Sequence, residues 1–118
     1  MTIAVVIPSL INRHKMLSNA LESIKNQKLK VDQVHVEFDM QRRGAGPTRT
    51  AAALRSTAEW TTFLDDDDMF MSHHTEYLLR VANEHEADFV WGWFHVEGGT
   101  DPFPMNRGKQ YSPAVPII

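Results

Sequence analysis

The chain predicts an α/β domain built on a mostly parallel sheet flanked by helices. Three observations carry that expectation. Apolar, β-prone runs alternate with segments whose apolar residues recur at helical spacing. A helix between consecutive strands forces a crossover, and crossovers make parallel sheets. Two of the runs also end directly in acid: residues 33–38 in Asp39, and residues 60–64 in Asp65-Asp66-Asp67-Asp68. The carboxyl edge of an open α/β sheet is where ligands bind.

The elements follow in order. Residues 2–7 form a continuous β-branched run stopped by Pro8, which predicts a strand buried on both faces. Residues 8–12 are a loop. From 13 to 27, Met16, Leu17, Ala20, Leu21 and Ile24 make a helical stripe, with Lys15, Glu22 and Lys25 off it. Residues 33–38 carry Val34, Val36 and Phe38, a second strand. Residues 40–46 are a polar loop with two glycines. Pro47 suits the first position of a helix, and the alanine-rich stretch 48–59 continues it. Residues 60–64 are the third strand. Ser72 is the expected N-cap of a helix over 75–86, with Leu78, Leu79 and Ala82 inward. Residues 87–96, rich in aromatics, predict a fourth strand ended by Gly98-Gly99. The expected organisation is an α/β domain over 1–97 and an irregular, Gly/Pro-rich tail over 98–118.

Composition narrows the function classes. A chain of 118 residues predicts one small domain. A net charge of −3 argues against a nucleic-acid binder, which would carry a basic stripe. There is no cysteine, so disulfides, thiolate metal sites and cysteine nucleophiles are excluded. No N-terminal apolar run is long enough for a membrane span or a signal-peptide core. The expectation is a cytoplasmic protein.

The acidic run dominates the chemistry. Two carboxylates about 4 Å apart repel by roughly 4 kcal/mol at an effective dielectric near 20. A fold that gathers several usually relieves the repulsion with a proton or a divalent cation. A solvated acidic loop is the plainer alternative, but the apolar strand leading into the run favours a metal or nucleotide site. Other motifs fail. Gly44-Ala45-Gly46 resembles the start of a dinucleotide fingerprint, yet Arg49 stands at the third glycine position. There is no P-loop and no nucleophile elbow. An EF-hand would need an oxygen ligand and a glycine where Met69 and Phe70 stand. His73 and His74 are adjacent and do not share a helix face, so they read as solvated residues of a first turn. Trp91, Trp93 and Phe94 read as core rather than as a stacking platform.

Taken in order, Ala4-Val5-Val6-Ile7-Pro8-Ser9, the strand ending at Asp39, Gly46-Pro47-Thr48-Arg49-Thr50 and Phe63-Leu64-Asp65-Asp66-Asp67-Asp68 resemble the nucleotide-sugar-binding half of a family 2 glycosyltransferase of the GT-A fold. The resemblance covers roughly residues 2–96. It implies that Pro8 and Ser9 lie against the nucleoside and that Asp39 hydrogen-bonds the base, usually uracil. Arg49 lies near the nucleotide, and Asp65 to Asp67 is the D-x-D motif. Asp67 is the implied metal ligand, with Asp65 a second ligand or, with Asp66, on the ribose side. The implied cofactor is Mn²⁺ or Mg²⁺, the donor a UDP-sugar, the acceptor unknown and the outcome inversion. The chain departs from the family at Met40-Gln41-Arg42-Arg43, where an acid and Gly-Ser are usual, and at Thr50, where Asn is usual. Family members are longer, so the chain reads as a truncated, donor-binding half, with the general base outside it. Its tail, with Tyr111, Val115, Ile117 and Ile118, is then a surface for self-association or a partner chain. A non-catalytic nucleotide-sugar-binding module is the alternative. A D-x-D phosphohydrolase fits less well, because that motif belongs on a first strand.

Overall fold

The computed structural model describes residues 1–92. Strand β1 (Ile3–Ser9) lies at the centre of a three-stranded parallel sheet, between β2 (Gln33–Phe38) and β3 (Trp60–Phe63). Val5 is level with Val34 on one side and with Thr62 on the other. Every residue of β1 is buried, as its unbroken apolar run requires.

Helix α1 (His14–Lys25), entered through a short 3-10 turn at Ile11–Arg13, connects β1 to β2. Helix α2 (Ala45–Ala53) connects β2 to β3, and α3 (His74–Glu84) follows. The two crossovers run in opposite directions across the sheet. With the usual right-handed connection, α1 and α2 therefore cover opposite faces. Leu17, Ala20 and Ile24 of α1 pack with Val5, Ile7 and Leu64 into one core cluster. On α2, Thr48 and Ala52 are buried. The chain order thus reverses at β1, and a crevice opens at the carboxyl ends of the strands.

Several boundaries differ from the sequence expectation, each for a tertiary reason. Pro8 does not stop β1 but sits inside it, level with Glu37. The carbonyls of Thr2 and Val6 accept hydrogen bonds from Trp60 and Leu64 at the β3 side. Pro8 shares that parity, so its missing N–H faces the side where β3 has already ended. Helix α2 begins two residues before Pro47, which occupies its first turn, where no intrahelical donor is needed. Gly44 caps it at φ 95°, a conformation that suits glycine. The helix stops at Ala53 because the following backbone is captured elsewhere. Thr57 N–H donates to Gln33 Oε1 at 3.1 Å and Glu59 N–H to Thr2 Oγ1 at 2.8 Å.

Ser72 does not cap α3. Gln27 does so from across the fold: its Oε1 accepts the Thr75 N–H at 3.0 Å, and its Nε2 donates to the Met71 carbonyl at 2.7 Å. Its side chain is buried, so these bonds clasp the end of α1 to the start of α3. His74 is not solvated but 3 % exposed, stacked on Phe70 with ring centroids 3.8 Å apart. Neither ring nitrogen has a hydrogen-bond partner among the described residues. Residues 87–92 pair with no strand among the described residues, and Phe89 and Trp91 are exposed. An apolar run becomes a strand only where a sheet edge accepts it. The rest of the expected fourth strand and the 98–118 tail lie outside the described residues.

Burial, aided by the neighbouring His73, pushes the pKa of His74 down to about 4, from an ordinary 6.5. The fold therefore holds the neutral ring, while the unfolded chain takes up a proton below pH 6.5. The stability contribution is complete above pH 6.5 and falls by about 1.4 kcal/mol per pH unit below it. It levels off near pH 4, after a loss on the order of 3 kcal/mol. Urea denaturation across pH 7 to 4 should show this slope in the native chain, and His74→Leu should remove it.

Candidate functional site

The crevice at the carboxyl edge holds a cavity of about 290 Å³. Its walls come from all three strand ends. Pro8 and Ser9 close β1, Asp39 follows β2, and Asp65, Asp66 and Asp67 follow β3. Arg49 reaches in from α2. Every residue singled out from the sequence as a nucleotide or metal contact thus lines one cavity. Arg13, from the turn before α1, lines it too and escaped the sequence reading. Its only signal was position, in the connection leaving the first strand, and a lone arginine there says nothing of its partner.

The four aspartates are not equivalent. Asp66 turns inward and is 3 % exposed. Its Oδ2 accepts a hydrogen bond from Ser9 Oγ at 2.8 Å, and its Oδ1 one from Arg13 Nη1 at 2.9 Å. A carboxylate so far from water needs such partners to stay ionised. Asp65 is half-buried, and Asp67 and Asp68 are exposed. A turn closed by Asp68 N–H donating to the Asp65 carbonyl at 3.1 Å brings them together. One oxygen from each of the three lies within 4.8 Å of the others, a spacing that one cation can span. Desolvation first, then the charges of Asp67, Asp65 and Asp66, push the Asp68 carboxyl above the usual carboxylate range. The set is hard oxygen and short of positive charge, so it could hold a divalent cation.

Two guanidiniums offset part of this charge. Arg49 Nη2 donates to Asp65 Oδ1 at 2.6 Å. Arg13 Nη2 stands 4.0 Å from Asp67 Oδ2 while its Nη1 holds Asp66. Four carboxylates against two guanidiniums leave two surplus negative charges.

Asp39 sits apart from the cluster, across the cavity. Its Oδ1 accepts the Arg43 N–H at 2.9 Å and its Oδ2 the Gly44 N–H at 2.8 Å. Those two backbone bonds, Arg43 first, hold its carboxyl below the usual range. They also shape the loop into α2, where Thr48 Oγ1 donates to the Gly44 carbonyl at 2.6 Å. A carboxylate has about four acceptor positions, so Asp39 keeps capacity for a ligand.

Burial separates the aspartates in a testable way. Asp66→Ala leaves the buried Ser9 hydroxyl only the longer contact to the Leu10 carbonyl, at 3.4 Å, and Arg13 without its main partner. It should cost about 2 kcal/mol in urea denaturation. Asp67→Ala, at an exposed position, should change stability by no more than about 0.5 kcal/mol.

Comparison with known proteins bears on the fold and the family. A solved structure of S. aureus TarS 1–349 in complex with UDP superposes with a TM-score of 0.72 at 18 % identity, covering 86 % of this chain and 38 % of that one. At that identity the likeness establishes the fold. An uncharacterized glycosyltransferase of Haemophilus influenzae is 36 % identical over 50 residues, which is 42 % of this chain and 17 % of the relative. The chain thus spans well under half the length of each. No helix among the described residues is long and apolar enough to cross a membrane. Residues 28–114 match the family described as Glycosyl transferase family 2, nearly three quarters of the chain, and the chain belongs to that family.

Proposed function

We propose that this chain forms the donor site of an inverting, metal-dependent glycosyltransferase that binds a nucleotide-diphosphate sugar. The observation that supports it best is the convergence of Asp39, Arg49, Asp65, Asp66 and Asp67 on one cavity at the switch point of the sheet. A UDP-sugar is the favoured donor. Asp39 sits across the cavity from the acidic turn, which suits a nucleoside lying between them with Pro8 and Ser9 beneath it. A carboxylate accepts a hydrogen bond from the uracil ring N–H, a donor that cytosine lacks at that position. The structural relative bound to UDP supports the same preference.

Asp67 and Asp65, joined by Asp68, are the carboxylates that would hold Mn²⁺ or Mg²⁺. A cation there would supply charge neutralisation for a diphosphate leaving group. The chain's own residues orient the donor. Arg49 offers a charge-assisted contact to the nucleotide, and Asp66, fixed by Ser9 and Arg13, sets the direction in which its neighbours point. Transfer also requires an acceptor hydroxyl held in line and a base within hydrogen-bond reach of it. Neither is assigned to any of the described residues.

Calorimetry of the chain with UDP, CDP and Mn²⁺ tests the reading. UDP should bind in Mn²⁺ and lose about tenfold or more in affinity with chelator, and Asp67→Asn should remove the metal dependence. Asp39→Ala should abolish the preference for UDP over CDP. Equal binding of both nucleotides by the native chain, indifferent to metal, would overturn the donor assignment.

A further inference from the structure

We propose that Arg49 is an exchange residue: it neutralises Asp65 while the cation is absent and turns to the nucleotide's diphosphate once a cation takes Asp65. The inference rests on the donor-site reading above and concerns how that site loads.

The two arginines of the cavity differ in what they can release. Arg13 holds Asp66, whose side chain is 4 % exposed and has Ser9 as its other partner. Letting go would strand a buried charge, so Arg13 is committed. Arg49 holds Asp65, and both side chains are well exposed, at 36 % and 45 %. Water can replace either partner there, and an exposed pair of this kind is weakly held. The contact is nonetheless short, 2.6 Å, and it falls on a carboxylate whose oxygen belongs to the three-aspartate set. A guanidinium and a divalent cation on one small carboxylate group repel each other. Binding of the ion therefore favours departure of Arg49.

The geometry also provides a destination. Arg49 lines a second cavity, between α2 and Phe63, with Gly46, Thr50, Ala53 and Leu54. The side chain thus has open space on both sides of its α2 position. The first cavity, which it also lines, is bounded by Gly44 and Ala45 at the start of the same helix. A diphosphate placed against the acidic turn would meet a guanidinium that the ion has just displaced. Guanidinium matches phosphate oxygens with two parallel N–H bonds, a geometry that lysine does not reproduce.

An exchange residue has a signature that other roles lack. Its removal acts in opposite directions on the two ligands. Losing a competitor for Asp65 tightens the ion alone, and losing the phosphate contact weakens the nucleotide. A residue that only positions the turn would weaken both. A residue that only stabilises the fold would change thermal stability and neither affinity.

The test uses the whole 118-residue chain. Native protein, Arg49→Ala and Arg49→Lys are titrated with Mn²⁺ alone, and then with UDP at saturating Mn²⁺. Circular dichroism establishes that each variant is folded. Arg49→Ala should bind Mn²⁺ about threefold more tightly and UDP roughly tenfold more weakly. Arg49→Lys should recover part of the UDP affinity but not all of it. Weaker or unchanged Mn²⁺ binding in Arg49→Ala would overturn the exchange while leaving the donor site standing, and so would an unchanged UDP affinity in that variant. A native chain that binds neither Mn²⁺ nor UDP would overturn the donor-site reading and the exchange with it.

Discussion

The buried carboxylate of Asp66 governs the geometry of the carboxyl edge. It is the point where the ends of β1 and β3 and the turn before α1 meet, through Ser9 Oγ and Arg13 Nη1. Ionised carboxylates do not enter a protein interior without such partners. With Asp66 held by these partners, the turn closed by Asp65 and Asp68 gathers the other three carboxylates. A buried ion pair of this kind is weak evidence for stability. Its consequence here is placement: three carboxylates held close together at the switch point of a parallel sheet.

Crowding like charges has an electrostatic cost, and the fold meets it unevenly. Arg13 is spent on the buried acid. Arg49 is shared out at the surface, on Asp65. The remaining imbalance shows in Asp68, whose carboxyl is pushed up by desolvation and by its three neighbours. The donor site proposed above takes ligands of both signs, and surplus charge beside one weakly held arginine suits it. That is the combination a metal–diphosphate complex presents.

Much of the fold was legible in the sequence. The continuous apolar run of β1 could only be a strand buried on both faces, and the helical stripe of α1 could only face it. The second strand begins and ends where its alternation predicted. The errors share one cause. Gln27 caps α3 from 48 residues away, Gln33 and Thr2 end α2 through contacts distant in sequence, and β3 ends in time to leave Pro8 without a missing bond. Local propensity describes what a segment prefers, and these boundaries were set by partners that only the folded chain supplies. His74 follows the same rule. Its sequence neighbours suggested an exposed first turn, and the packing of Phe70 and the Gln27 clasp buried it instead.

The candidate site divides along that line. The sequence by itself determined that acid would stand at the ends of the second and third strands, that Arg49 would follow the glycine-rich loop, and that the parallel topology would bring these ends to one edge. It could not assign work among Asp65, Asp66, Asp67 and Asp68, because four identical side chains in a row carry no distinguishing signal. Only the tertiary structure decided that Asp66 is buried while Asp65, Asp67 and Asp68 cluster, and that Arg13 belongs with it. The physical reason is that burial is a property of the surroundings rather than of the residue. The hydroxyl of Ser9 and the guanidinium of Arg13 make the interior habitable for one carboxylate, and they lie 57 and 53 residues from it in the chain.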